Sequence, residues 1–235
     1  RDPPLPENRK TLGEVVQGAA LVLGDARFML MIVVYSLFWI LYFQNFGSVL
    51  WFLRDFIDPA PMNAVFAALH LPFKFDAEFV TVINAGTIIL LQVFVSRIVK
   101  DLKPLPTMLG GVAIGALGFL LLAFAQNVWL FIAGIAVFSV GEMTAHPKYY
   151  SYVGLVAPQD KKAVYMGYAF LYGVFGSLFG SSLGGALYGA WLKPLAGTAA
   201  GFDASRKFWL LFVLLDVFAV VGLLFYNRFF AHDTP

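Results

Sequence analysis

The sequence predicts an all-α polytopic membrane protein, built as a bundle of six transmembrane helices. Of its residues, 60% are hydrophobic and only 13% are charged, and the mean hydropathy is +0.78, values that exclude an ordinary soluble domain. Apolar stretches of eighteen residues or more occur six times along the chain. Each is long enough to cross a bilayer core of about 30 Å at a rise of about 1.5 Å per residue.

The six predicted spans define the domain organisation. They lie at about 28–53, 78–98, 106–125, 128–150, 164–190 and 207–228. Residues 1–27 are predicted to form a cytoplasmic linker followed by a helix along the membrane interface, residues 28–230 the six-helix bundle, and residues 231–235 a cytoplasmic tail. The Pro-rich start without an initiator Met is typical of an interdomain linker, so we expect the segment to begin within a longer protein.

The distribution of basic residues predicts the orientation. If both ends lie on one side, that side holds eleven Lys and Arg residues and the opposite side holds five. Because basic residues accumulate in cytoplasmic loops, both ends are predicted to be cytoplasmic, with the chain in the plasma (inner) membrane. The basic residues form no dense patch, so no nucleic-acid partner is expected. The sequence has no cysteine, and no residue pattern predicts a metal site.

Two acidic residues lie inside predicted spans, Glu142 in the fourth and Asp216 in the sixth. A charge at the bilayer centre costs at least about 2.5–3.5 kcal/mol, and no basic residue lies at a comparable depth. His146 follows Glu142 by one turn, Pro147 should kink the helix, and Lys148 should snorkel to the cytoplasmic interface. Such a polar notch allows a carboxyl to load and release a proton, which makes Glu142, Asp216 and His146 candidates for proton coupling. Structural hydrogen bonding of the two acids, and an interfacial role for the histidine, are the alternatives.

Neutral polar residues also interrupt the first two spans: Gln44, Asn45, Asn84 and Gln92. Each alone favours a hydrogen bond between helices, and together with Glu142 they predict one wet cavity. Gln44 and Asn45 further predict tilt or a local break in the first span.

The fifth span carries a row of glycines four residues apart, Gly176, Gly180 and Gly184. Small residues at this spacing let a second helix approach backbone to backbone. The row predicts either plain packing or, with Pro147, a surface that moves during gating.

Three motifs carry a resemblance to a known family. The fourth span contains GEMTAHP followed by VAP, the first contains FWILYFQNFGS, and the fifth begins MGYAFL. With six helices, cytoplasmic ends and a preceding linker, the chain resembles the C-terminal half, helices seven to twelve, of a major facilitator superfamily transporter. Within that superfamily it is similar to the proton-dependent oligopeptide transporters.

The resemblance implies site residues and partners. In such transporters a tenth-helix Glu and an eighth-helix Asn hold the peptide termini, roles that fall here to Glu142 and Asn84. The other implied substrate contacts come from the seventh- and eleventh-helix motifs: Trp39, Gln44, Asn45 and Tyr168. The implied partners are a small-molecule solute, the lipid bilayer and an N-terminal six-helix half. Protons are the coupling ion, and no cofactor is expected.

The predicted function is therefore secondary active transport, a proton-coupled alternating access that moves a small organic solute such as a di- or tripeptide by symport. A proton-coupled drug or sugar transporter of the same superfamily is the alternative. No enzyme is expected, although GSSLG at 180–184 has the G-x-S-x-G pattern of a serine hydrolase. Ser182 would lie inside a helix and about 20 Å from the depth of His146, which makes intramembrane hydrolysis a remote alternative. A scaffold or receptor half that does not transport is a third possibility, for which no residue argues.

Overall fold

The computed structural model describes residues 11–231, so the predicted linker at 1–10 and most of the predicted tail, 232–235, lie outside the described residues. The α-helices of this part are α1 Leu12–Leu23, α2 Ala26–Gln44, α3 Ser48–Phe56, α4 Ala60–Ala68, α5 Phe79–Val99, α6 Pro104–Ala123, α7 Val128–Val156, α8 Lys162–Tyr168, α9 Leu171–Leu187 and α10 Gly201–Phe229. A π-helical turn, Tyr188–Leu192, and a short 3₁₀ turn, Lys193–Leu195, follow α9.

These helices make six segments that are long and apolar enough to cross a membrane. They are Ala26–Phe56, Phe79–Val99, Pro104–Ala123, Val128–Val156, Gln159–Leu195 and Gly201–Phe229. The predicted fold class, a six-helix membrane bundle, is confirmed. The segment before the first span also forms the predicted short helix, α1, which begins with a capping box between Thr11 and Glu14.

The first span is broken where its polar residues predicted a break. α2 ends at Gln44, residues 45–47 form a turn, and α3 begins at Ser48. The Gln44 amide donates to the carbonyl oxygens of Ile40 and Gly180, at 2.9 and 2.8 Å. The side chain at the break thus bonds both its own helix and α9.

The fifth span, predicted as one apolar segment at about 164–190, is interrupted in the structure. It is divided between α8 and α9 at Ala169 and Phe170, and its last turn is a π-helix. The break is stabilised from another helix, because the Tyr149 hydroxyl on α7 donates to the Ala169 carbonyl at 2.8 Å. In contrast, α7 continues as a helix through Pro147 and ends at Val156, beyond its predicted end.

Helices α6 and α7 make the most extensive contact between helices in the described structure, with glycines on both sides. A Cβ atom on Gly141 would lie 2.5 Å from the Gly115 nitrogen and 2.6 Å from the Gly111 carbonyl oxygen. A Cβ on Gly118 would similarly lie 2.6 Å from the Phe138 nitrogen. The two backbones are therefore in direct contact, and we call this contact the α6–α7 glycine seam.

The glycine row of the fifth span makes a second close contact, between α9 and α2. A Cβ on Gly176 would lie 2.5 Å from the Trp39 Cβ, and one on Gly180 would lie 2.9 Å from the Ile40 carbonyl oxygen. Gly184 packs against the Gln44 side chain. The glycine row thus allows the close helix packing that its spacing predicted. A part of this row in gating stays a prediction.

Helix α5 is covered on one side only. It packs against α7, and Val80 is its one buried residue. Its remaining surface is strongly apolar and exposed, with Ile89, Leu90 and Ile98 each more than 70% accessible. The five other bundle segments surround a common core, with α10 against α6 and α2.

Candidate functional site

The Glu142 carboxylate is bound from the neighbouring helix. The Asn84 amide on α5 donates to Glu142 Oε2 at 3.0 Å, and the same nitrogen lies 2.9 Å from Ser139 Oγ. Ser139 itself donates to the Ile135 carbonyl of its own helix at 2.9 Å. The two residues for which the resemblance implied a shared role are therefore in direct contact, although they are 58 residues apart in sequence.

One oxygen of this carboxylate remains available. Glu142 is half-buried, and within residues 11–231 its Oε1 atom accepts no hydrogen bond from the protein. An ionised carboxylate has about four acceptor positions, so one amide does not satisfy it. The geometry leaves room for a proton, or for a cationic donor on a bound molecule.

Aromatic rings from three helices surround His146, one turn after Glu142. The Trp39 ring centroid lies 5.2 Å from that of His146, 4.4 Å from that of Tyr42 and 4.6 Å from that of Tyr172. The Tyr172 hydroxyl is 3.5 Å from His146 Nδ1. Such rings present negative faces that attract organic cations. We call Trp39, Tyr42, His146, Tyr150 and Tyr172 the aromatic cluster.

Three members of the aromatic cluster were absent from the sequence prediction: Tyr42, Tyr150 and Tyr172. Tyr150 lies 5.2 Å from His146 between ring centroids, and its hydroxyl is 3.4 Å from that of Tyr172. Helical spacing could have indicated Tyr150, because this residue stands four positions after His146 and therefore shares its face of α7. Nothing local in the sequence connects Tyr42 or Tyr172 with that face.

The neutral polar residues of the first span are not part of an open cavity with Glu142. Gln44 is 1% exposed, and its Oε1 atom also accepts a 2.8 Å hydrogen bond from Ser48 Oγ. Asn45 is 2% exposed, and its side-chain amide has no hydrogen-bond partner in the described structure. Gln44 therefore makes the hydrogen bond between helices that was its alternative role. Binding of substrate by either residue stays a prediction.

The remaining predicted positions lie apart from the carboxylate. Tyr168 ends α8, and its hydroxyl makes no hydrogen bond within the described residues. Gln92 is bonded only to Ser96 on the exposed side of α5, at 3.0 Å. Of the residues that were predicted to line one cavity, the structure brings only Glu142 and Asn84 into contact.

Asp216 is in a different environment from Glu142. It lies on α10, is 0% exposed, and neither of its oxygens has a hydrogen-bond partner among the described residues. No hydrogen bond connects it to Glu142, so the structure does not bring the two acids into one cluster. Its predicted part in proton coupling remains untested.

Lys148 reaches the turn after α5, at the end of the bundle predicted to be cytoplasmic, but its side chain is buried there. It is 6% exposed, and its ammonium group donates to the carbonyl oxygens of Lys100 and Leu102, at 3.1 and 2.8 Å. These carbonyls belong to the end of α5 and the following turn. A cation at this position donates hydrogen bonds to carbonyls that have no partner within the helix, and it interacts favourably with the negative end of the helix dipole. Because Lys148 and Glu142 share α7, the helix holds α5 at two levels.

Ser182 lacks the surroundings of a catalytic serine. It lies within the continuous helix α9 rather than on a strand-to-helix turn, and no hydrogen bond joins it to a histidine in the described part of the chain. His146 contacts Tyr172 instead. The G-x-S-x-G pattern here is a part of the helix surface.

Comparison with known proteins shows the family of the chain. The family model described as Major Facilitator Superfamily matches residues 56–233, which is more than half of the chain. A comparison with curated proteins found no match. The match covers five of the six apolar segments and the Glu142–Asn84 pair. This chain is an integral membrane protein that belongs to the Major Facilitator Superfamily, a family of secondary transporters rather than enzymes.

Proposed function

We propose that the protein is a proton-coupled symporter of small organic solutes that carry an amine, with di- and tripeptides as the first candidates. The observation that supports this proposal is the Glu142 carboxylate, which is held by Asn84 through one oxygen while the other oxygen is free. In the same proposal the chain contributes helices seven to twelve in the plasma (inner) membrane, with both ends cytoplasmic.

The Glu142–Asn84 pair is suited to bind an α-amino group. An ammonium group on the solute can donate to the free Oε1 atom, and a charge-assisted hydrogen bond of this kind is worth about 1.5–3 kcal/mol. Asn84 fixes the carboxylate, so little side-chain freedom is lost when the solute binds. Its amide oxygen can also accept a second hydrogen bond from the same ammonium group.

Proton-coupled symport requires that the proton and the solute cross the membrane together. In the outward form the ionised Glu142 pairs with the ammonium while His146 carries the proton. In the inward form the proton passes to Glu142, which removes the charge that holds the ammonium, so the solute is released and the proton then leaves to the cytoplasm. Movement of one charge through 100 mV supplies about 2.3 kcal/mol, enough to concentrate a solute several tens of fold. His146 and Asp216 are the other residues proposed to carry protons, while Gly176, Gly180, Gly184 and Pro147 are proposed to serve packing or gating.

The exposed surface of α5 supports the presence of a second six-helix half. Transporters built from repeats place the solute site near the midplane, between the two halves. α5 carries Asn84, and it is the span with the least covered surface in the described part of the chain. A second half that packs beside α5 would close the site from the open side of Glu142.

A transporter of lipophilic cationic drugs is the second candidate, and the aromatic cluster favours it. Trp39 is 8% exposed and packs against Tyr42 with 4.4 Å between ring centroids, whereas Tyr42 and Tyr150 are partly exposed and offer their rings to a cation. A cation over such rings gains about 0.5–2 kcal/mol, depending on its hydration. The cluster gives no comparable argument for a sugar.

The experiment is uptake by the full-length protein in liposomes under an inward proton gradient. Labelled dialanine and labelled tetraphenylphosphonium serve as the two probes. The wild-type protein should accumulate dialanine when the outside is acidic, and Glu142→Gln should lose this accumulation because the amide can neither ionise nor pair with an ammonium. Glu78→Gln is the matched control, since Glu78 is an exposed acid at the start of α5.

Each outcome decides between the proposals. Uptake of tetraphenylphosphonium but not of dialanine supports the drug transporter, and the same dependence on Glu142 is then expected. Normal proton-driven uptake by Glu142→Gln removes the carboxylate from the mechanism, and with it the proposed mode of coupling.

A further inference from the structure

A second polar cavity lies at the predicted outer end of the bundle, away from Glu142. Its volume is about 300 Å³, and it lies between the end of α3 and the π-helical turn after α9. Its walls are formed by six residues: Trp51, Arg54, Gly185, Tyr188, Gly189 and Lys193. We call it the basic cavity. π-helical turns often occur at functional sites, and this one places Tyr188 and Gly189 on the cavity wall.

The guanidinium of Arg54 is oriented for binding. Its Nε and Nη2 atoms donate to the two oxygens of Asp55, at 2.6 and 2.9 Å. Asp55 is held in turn by the Tyr188 hydroxyl, which donates to its Oδ2 atom at 2.8 Å. A guanidinium has five N–H donors, so the other edge of Arg54 keeps donors that the protein does not use. Asp55 therefore acts as a support that fixes the direction of the arginine.

Lys193 supplies a second positive charge without a partner of its own. It is exposed on the cavity wall, and within residues 11–231 it forms no ion pair. Arg54 and Lys193 together outweigh the single negative charge of Asp55. The cavity therefore has an excess of one positive charge. The planar guanidinium of Arg54 and the ammonium group of Lys193 are both suited to bind an oxyanion.

The cavity continues into an apolar surface. Leu178, Ser182 and Gly185 stand at positions i, i+4 and i+7 of α9 and so share one face. Leu178 is 59% exposed, and a Cβ on Gly189 would have nothing within 4 Å. Trp51 lines the cavity mouth, and aromatic residues of this kind mark the level of lipid head groups. A molecule with an anionic head and an apolar tail would thus contact charge at one end and α9 at the other.

We propose that the basic cavity binds the oxyanion head group of an amphiphile, either the phosphate of an anionic phospholipid or the carboxylate of a fatty acid. Arg54 binds the oxyanion through its free edge, Lys193 neutralises the remaining charge, and the tail lies along the Leu178 face. The proposal is independent of Glu142 and of the transported solute.

The test measures binding to the purified full-length protein in a neutral detergent, from the shift of its unfolding midpoint with ligand concentration. Dihexanoyl phosphatidylglycerol is compared with dihexanoyl phosphatidylcholine, and hexanoate with hexanol, so that each anionic probe has a match with the same tail and no net charge. At least one anionic probe should stabilise the protein more than its match. The probe that does so identifies the phosphate or the carboxylate as the ligand.

Two variants test the location. Lys193→Gln removes one charge, and Gly189→Leu places a side chain in the cavity, where a Cβ would have nothing within 4 Å. Each variant should weaken binding of the anionic probe by about tenfold or more, which is the value of one charge-assisted hydrogen bond. Their matched controls are Lys74→Gln, an exposed lysine at the same end, and Gly110→Leu, whose added side chain also starts from open space. The proposal is overturned if neither anionic probe exceeds its match, or if both cavity variants bind as the wild type does.

Discussion

The α6–α7 glycine seam makes a sharp prediction about stability. Gly141→Ala adds one methyl group where three backbone atoms stand within 3.0 Å: the Gly115 nitrogen, the Gly111 carbonyl oxygen and the Gly115 Cα. Backbone atoms cannot turn aside as a side chain can. The substitution must therefore either move the helices apart or disturb their hydrogen bonds.

The size of the effect follows from the distances. Restoring ordinary contact means an increase from 2.5 Å to about 3.4 Å, so the helices must separate locally by about 0.9 Å. Overpacking of this kind costs about 1–3 kcal/mol, against a gain of up to about 1 kcal/mol from replacing glycine in a helix. With the full gain subtracted, the net loss is up to about 2 kcal/mol, which lowers the unfolding midpoint of a chain of this size by up to about 8 °C.

The assay is thermal unfolding of the full-length protein in detergent, followed by intrinsic tryptophan fluorescence. Gly110→Ala is the control, because it lies on α6 next to Gly111 but a Cβ there would have nothing within 4 Å. The control should match or exceed the wild type, since only the gain in helix propensity remains. If Gly141→Ala is as stable as Gly110→Ala, the seam is not the close contact described above.

Three further substitutions have clear expected results. Lys148→Met should speed hydrogen exchange in residues 97–103, because two carbonyls lose their donor, and unchanged exchange there would contradict the cap. Gln44→Leu should lower the unfolding midpoint, since the Gly180 carbonyl and the Ser48 hydroxyl lose partners; a midpoint equal to that of the wild type would show that these bonds add nothing. Asp216→Asn should leave the midpoint unchanged or raise it, because it breaks no hydrogen bond, and a fall of several degrees would reveal a partner for that carboxyl.

The spans and their order could be predicted because they depend on local composition. A run of apolar residues long enough to cross a bilayer must form a helix, since backbone groups in hydrocarbon have to bond within the segment. The break after Gln44 could be predicted for a similar reason, because polar residues interrupt the run. The break at Ala169 could not, because it lies in an apolar stretch and is stabilised by Tyr149 from another helix.

The candidate site was partly accessible for a different reason. Glu142 is conspicuous because an acid deep in an apolar helix is costly. Its contact with Asn84 was reached through resemblance to a family, since no rule of spacing connects residues on different helices. Tyr172, which contacts Trp39 from another helix, was missed for the same reason. Tyr42 stands three residues after Trp39 on α2, so helical spacing could have indicated it.

Lys148 shows what local reasoning leaves out. From the sequence it is a lysine near the end of a span, for which the interface is the usual environment. In the folded chain its ammonium group binds two carbonyls at the end of α5, a position that depends on how α5 and α7 pack. The glycine seam between α6 and α7 is similar, because glycine spacing indicates close packing but not the partner.

The sequence by itself determined that this chain has six segments able to cross a membrane and carries an acid inside one of them, because hydropathy and the cost of a buried charge act on each segment separately. Only the tertiary structure decided that Asn84 binds that acid, that Asp216 has no hydrogen-bond partner within residues 11–231, and that Arg54 and Lys193 share a cavity. These facts depend on the distances between helices. Such distances are set by glycine contacts and hydrogen bonds between residues that are far apart in the chain, which no local pattern contains.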